Sequence, residues 1–78
     1  MADKRELREQ LKKKLDLSIP KVVQAQQLDE AADQIIKAGQ ADRALLELVG
    51  RNAFGDKEIL ANTDIDDVND ILNQIKGS

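Results

Sequence analysis

The chain has no histidine, cysteine, tryptophan or tyrosine. Without cysteine it forms no disulfide and no thiolate metal site, and without histidine it has no imidazole base and no imidazole zinc ligand. Nucleophile–base pairs built on histidine are therefore excluded. The hydroxyl groups belong only to Ser18, Thr63 and Ser78, which leaves carboxylates, lysines and arginines for chemistry. We predict that the protein is not an enzyme and uses no cofactor or metal ion.

Long apolar runs are also missing. No stretch approaches the length of a membrane-spanning helix, and no signal-peptide pattern precedes the first charged residues. We therefore expect a cytoplasmic protein that makes no membrane contact. The 78 residues, with 22 large aliphatic or phenylalanine side chains, suffice for one small core. We place a single helical domain at residues 1–76 and expect residues 77–78 to form a disordered tail.

Hydrophobic spacing predicts an all-α fold. Apolar residues recur at intervals of three and four, and alternation with a period of two never persists beyond a few residues. Five or six short helices joined by tight turns would form a compact antiparallel bundle. The first helix should follow Asp3, which with Glu6 resembles a capping box, and should bury Leu7, Leu11 and Leu15.

The remaining helices are predicted from turn and cap residues. A short second helix should include Val22 and Val23, and a third should end at Gly39. The stretch "ADRALLELVG" is the most apolar segment and is predicted to be the central helix. A short fifth helix would cover about Asp56 to Ala61, and the last would begin with Thr63 as its N-cap.

Phe54 is the single aromatic residue, and it lies in a glycine-rich junction, "GRNAFGDKEI". Such a ring either fills the end of a bundle or is displayed for a partner. We predict that it packs into the core, because burying one large ring matters most where the core is small.

Charge is distributed unevenly along the chain. Residues 1–15 hold six basic and three acidic side chains, whereas residues 52–78 hold two basic and six acidic ones. These charges either form solvated or mutually neutralising faces, or they meet opposite charges on another domain. We hypothesise that they are protein-docking faces, formed by Arg8, Lys12 and Lys13 on the first helix and by Asp66, Asp67 and Asp70 on the last.

Two other functions are compatible with this layout. The protein could be a small nucleic-acid-binding regulator that grips phosphate through its basic first helix. We disfavour nucleic acid because the chain has no set of aromatic side chains for base stacking. It could also be an inhibitor or immunity-type protein that blocks an enzyme with its acidic last helix.

The acidic stretch "TDIDDVND" offers oxygen atoms of the kind that bind calcium. An EF-hand loop, however, needs glycine at its sixth position and glutamate at its twelfth. Counted from Asp64, those positions hold Asn69 and Ile75. We therefore interpret these carboxylates as helix-cap and first-turn residues.

The central stretch "LDEAADQIIKAGQADRALLELVGRNAFGDKEIL" resembles the middle of bacterial effector-associated domains, which are small death-like adaptor modules. Ala53, Asp56 and Asp42 depart from that family's pattern of proline and small residues. The resemblance implies a six-helix death-like bundle that recruits an effector or a sensor ATPase by contact with a homologous domain. It also implies no activity of its own. Independently of the resemblance, we expect the chain to be a monomer or to self-associate weakly. The matching positions are Leu28, Ile35, Ile36, Ala38, Arg43, Leu46, Asn52 and Ile59.

Overall fold

The computed structural model describes residues 3–16, 25–55 and 60–77. Within these ranges it contains four α-helices and no strand: α1 (Lys4–Lys14), α2 (Ala25–Ala38), α3 (Arg43–Phe54) and α4 (Ile65–Gly77). The all-α prediction is confirmed, although the expected five or six helices exceed the four described. The predicted second helix and most of the predicted fifth lie outside the described residues. Gly77 belongs to α4, and Ser78 lies outside the described residues.

Helix α1 begins and ends as its sequence predicts. The Asp3 carboxylate accepts a hydrogen bond from the Glu6 backbone N–H at 2.8 Å, which satisfies one N–H of the first turn. Leu7, Leu11 and Leu15 are all buried. The last turn contains three lysines, which lie favourably at the negative end of the helix dipole.

Helices α2 and α3 form a hairpin around a short turn. Gly39 ends α2 with φ +80°, and its N–H donates to the carbonyls of Ile35 and Ile36 at 3.2 and 3.1 Å. A residue with a Cβ rarely adopts this left-handed conformation, so the predicted glycine stop is confirmed. Asp42 then caps α3, since its carboxylate accepts from the Leu45 N–H at 2.8 Å.

Helix α3 ends at Phe54, followed by Gly55 in the left-handed conformation. Phe54 is half-buried and packs against the core, which agrees with the interpretation of this ring as a core residue. Leu46 and Val49 are fully buried, but Leu48 is 50 % exposed. The helix packs mainly on α2. Among the described helices, α3 is therefore not the central one: α2 packs on both α1 and α3, and α1 packs on both α2 and α4.

Helix α4 packs on α1 in antiparallel orientation. Lys14 near the end of α1 lies 3.5 Å from Asp67 near the start of α4, and Arg5 shares a cleft with Ile75 near its end. The buried side chains of α4 and the buried leucines of α1 belong to one hydrophobic core. The buried α4 side chains are Val68, Ile71, Leu72 and Ile75.

The predicted N-cap of α4 is wrong by one residue. The helix begins at Ile65, and the carboxylate of Asp64 accepts from the N–H groups of Asp66 and Asp67 at 3.0 and 3.3 Å. Thr63 is 1 % exposed, and its hydroxyl accepts from the Asp16 N–H at 2.8 Å. Thr63 therefore links the end of α1 to the start of α4, and Asp64 is the cap.

Candidate protein-interaction surface

Two of the predicted basic docking residues, Arg8 and Lys12, pair with carboxylates of α2. The guanidinium of Arg8 binds Asp33 and also donates to the backbone carbonyl of Asp29 at 3.1 Å. Lys12 pairs with Asp29 and donates to Glu9 at 3.0 Å. We call Arg8, Lys12, Asp29 and Asp33 the α1–α2 ion cluster.

The cluster has a simple geometric basis. Residues four apart lie on one face of a helix, so Arg8 and Lys12 form a cationic doublet, and Asp29 and Asp33 form a matching anionic doublet. Because the lower-numbered cation meets the higher-numbered carboxylate, α1 and α2 run antiparallel at this contact.

Electrostatics of the cluster follow from these contacts. The hydrogen bond to Asp33 raises the pKa of Arg8, against the opposing effect of partial desolvation. Hydrogen bonds to Asp29 and Glu9 raise the pKa of Lys12 in the same way. The Arg8 guanidinium lowers the pKa of the Asp33 carboxyl. Each group is thus held more firmly in its charged form.

The third predicted basic residue, Lys13, faces outward. It is exposed, and within the described residues it makes no ion pair. At 100° per residue, Lys13 projects from the side of α1 opposite Leu7 and Leu11, together with Arg5, Glu6 and Glu9. The outward side of α1 therefore carries both signs of charge.

The predicted acidic residues divide between two sides of α4. Asp67 points toward α1 and lies 3.5 Å from Lys14. Asp66 and Asp70 are exposed, project directly away from the buried stripe of α4, and pair with no cation of the described chain. They form a carboxylate doublet spaced like Asp29 and Asp33, which we call the α4 doublet.

An open cleft of about 340 Å³ lies where α1, α2 and α4 meet. Its apolar part comes from Ile36, which is half-buried, and Ile75, which is almost fully buried. Lys4, Arg5 and Arg8 complete its lining, which contains no carboxylate. We call it the basic cleft.

Sequence reasoning missed three parts of this surface. It overlooked the carboxylates of Asp29 and Asp33, although their four-residue spacing matches that of Arg8 and Lys12. It also overlooked Lys4 and Arg5 as cleft residues, and assigned Ile36 and Ile75 to the core without an open side. The cleft carries no sequence signal, because it combines three helices.

Among the residues that the structure describes, no group of three or more acidic side chains is arranged to hold a metal ion. None of the described helices is both long enough and apolar enough to cross a lipid bilayer.

Comparisons with known proteins add no identity to this geometry. No family model, no curated protein and no solved structure matches the chain. The resemblance to bacterial effector-associated domains therefore stays a prediction drawn from the central stretch of the sequence.

Proposed function

We propose that the protein is a non-enzymatic adaptor module that associates with a like domain through oppositely charged helical surfaces. The observation that carries this proposal is the α4 doublet, in which Asp66 and Asp70 point outward and pair with no cation of the described chain. The resemblance of the central stretch to death-like adaptor modules supports the same function.

The chain itself contains an example of the expected contact. In the α1–α2 ion cluster, two carboxylates four residues apart meet two cations four residues apart on a neighbouring antiparallel helix. The α4 doublet has the spacing of the acidic half of that arrangement. A domain that presents two cations at the same spacing would complete the arrangement. Such charge complementarity sets the orientation of the two domains and speeds their encounter more than it raises their affinity.

Fewer basic residues are available for this contact than the sequence predicts. Arg8 and Lys12 already bind α2, so on a second copy they contribute less than Lys13, which is exposed and unpaired within the described residues. The net charge of −3 repels two copies at long range. Association would therefore depend on local complementarity between Lys13 and the α4 doublet.

Sedimentation equilibrium of the whole chain at low salt, over a wide concentration range, tests the proposal. Lys13→Glu and the double variant Asp66→Lys/Asp70→Lys should each abolish association, and an equimolar mixture of the two should restore it as a heteromer. These side chains are exposed, but each variant reverses a charge that lies favourably at a helix end, so both should melt only slightly below the parent protein. Raising the ionic strength to about 0.5 M should weaken the native association.

The matched control is Asp29→Lys/Asp33→Lys, which reverses a doublet of the same spacing inside the α1–α2 ion cluster. This control should lower the melting temperature, because four cations would then face one another. If reversal of the α4 doublet lowers the melting temperature equally, its charges stabilise the fold and the proposal fails. A native chain that stays monomeric at every concentration, alone and with domains of the resembling family, also contradicts it.

The inhibitor alternative depends on the same outward carboxylates, so Asp66→Lys/Asp70→Lys should abolish inhibition of the target enzyme as well. It differs in its dependence on Lys13, because an inhibitor that uses only the acidic helix keeps its activity in Lys13→Glu.

The nucleic-acid alternative has less support from the structure than from the sequence alone. Arg8 and Lys12 bind carboxylates of α2, and Glu6 and Glu9 share the outward side of α1.

A further inference from the structure

The basic cleft contains cations whose positions do not favour helix formation. Lys4 and Arg5 are in the first turn of α1, where the positive end of the helix dipole disfavours positive charge. Lys4 is also four residues from Arg8, and like charges at that spacing repel. Within the described residues, neither Lys4 nor Arg5 makes an ion pair.

The same cleft also has an apolar part. Ile36 of α2 packs on the core but keeps part of its surface exposed, and Ile75 of α4 lines the cleft beside it. An open volume of about 340 Å³ is at the small end of the range of roughly 300–1,000 Å³ for ligand sites. It is large enough for an aliphatic side chain and the backbone beside it.

We propose that the basic cleft binds an acidic segment of a partner protein, in which an aliphatic side chain lies between carboxylates. The aliphatic group would cover Ile36 and Ile75, and the carboxylates would pair with Lys4 and Arg5. Charge complementarity selects this occupant, because the lining has no carboxylate and two of its three cations, Lys4 and Arg5, make no ion pair within the described residues. The site is separate from Lys13 and the α4 doublet, so this proposal does not depend on self-association.

Peptide binding tests the proposal directly. The chain has no tryptophan or tyrosine, so the fluorescence of a peptide with one tryptophan reports binding without background. The probe is the N-acetylated hexapeptide WEDIDE, titrated with the whole protein at about 0.15 M ionic strength, where charges more than about 8 Å apart are largely screened. A second peptide, WEDSDE, has the same charge but lacks the aliphatic group and should bind at least about fivefold more weakly.

Variants of the protein locate the site. Lys4→Glu and Arg5→Glu should each weaken binding of WEDIDE by about tenfold or more. Lys13→Glu makes the same change in net charge outside the cleft and should alter the affinity by less than about twofold. Lys4→Glu should also leave the melting temperature unchanged or raise it, because it removes a cation from the first turn and pairs with Arg8.

Three results would overturn the proposal. Equal affinity for WEDIDE and WEDSDE would show that charge alone attracts the peptide and that the apolar part is unused. Equal losses in Lys4→Glu and Lys13→Glu would show that binding is not localised to the cleft. Native self-association that is abolished by Arg5→Glu but not by Lys13→Glu would place a second copy, not a peptide segment, in the cleft.

Discussion

The side-chain amide of Asn69 in α4 forms two hydrogen bonds with the backbone of Ala41. Its Oδ1 accepts from the Ala41 N–H at 2.8 Å, and its Nδ2 donates to the Ala41 carbonyl at 2.9 Å. Ala41 lies in the turn between α2 and α3 and is 2 % exposed. Since α4 packs mainly on α1, this amide fastens it to the other helix pair.

Replacing Asn69 should therefore destabilise the fold. Asn69→Ala leaves the buried N–H and C=O groups of Ala41 without their hydrogen-bond partners from α4. The free energy of unfolding should fall by about 2 kcal/mol. Urea unfolding followed by circular dichroism measures the change. The control is Asn73→Ala on the exposed side of α4, which should change stability by less than about 0.5 kcal/mol. Equal effects of the two substitutions would show that the Ala41 contact contributes nothing.

Two leucines of α3 should respond very differently to truncation. Leu46 is 0 % exposed and Leu48 is 50 % exposed. Leu46→Ala should cost about 3 kcal/mol through lost burial and the cavity left behind. Leu48→Ala should change stability by less than about 0.5 kcal/mol, because its side chain projects away from the core. A large loss in Leu48→Ala would contradict the exposure of this side chain.

Local signals predicted much of this fold. The cap at Asp3 and the stop at Gly39 depend on hydrogen bonds within a few residues, so they can be recognised in the sequence. The exposure of Leu48 was not predicted, because a very apolar helix contains more leucines than its buried face can use. Thr63 was misjudged because two adjacent residues can cap, and its hydroxyl instead binds the distant N–H of Asp16.

The candidate surface was less predictable because it depends on which helices are neighbours. The sequence shows that Lys12 and Asp66 carry opposite charges, but it does not show that Asp29 is the carboxylate that pairs with Lys12 in the folded chain. The spacing of Asp29 and Asp33 becomes informative only once α1 and α2 are known to be antiparallel. The exposure of Asp66 and Asp70, by contrast, follows from the 3.6-residue period of α4 and its apolar stripe.

Two glycines with the same backbone conformation allow strain and steric contact to be separated. Gly39 and Gly55 have φ of +80° and +74°, so alanine at either should cost about 1 kcal/mol. A Cβ at Gly55 meets nothing within 4 Å, whereas one at Gly39 would lie 3.3 Å from Cε of Lys76. Gly39→Ala should therefore cost slightly more, and adding Lys76→Ala to it should remove only that excess. Thermal unfolding of the three single variants, the double variant Gly39→Ala/Lys76→Ala and the parent tests this, and a smaller cost at Gly39 than at Gly55 contradicts it.

The α1–α2 ion cluster should make stability depend on pH at the acidic end. Arg8 lowers the pKa of Asp33 in the folded protein relative to the unfolded chain. A carboxyl of this kind contributes stability above its unfolded pKa, and that contribution is lost as the pH falls through its folded pKa. Because Asp33 is largely exposed, its contribution at neutral pH should be only about 0.5 kcal/mol.

Asp33→Asn should therefore lose about 0.5 kcal/mol near pH 7 and converge with the parent protein near pH 2. Urea unfolding at several pH values between these limits measures both curves. The matched control is Asp70→Asn, which removes an exposed carboxylate that pairs with no cation of the described chain. At pH 7 its stability should differ from that of the parent by less than that of Asp33→Asn does. If the curve of Asp33→Asn runs parallel to the parent curve throughout, Arg8 does not stabilise the charged form of Asp33. The Arg8–Asp33 pair would then contribute nothing to the α1–α2 contact, and Arg8 would be available for binding a partner.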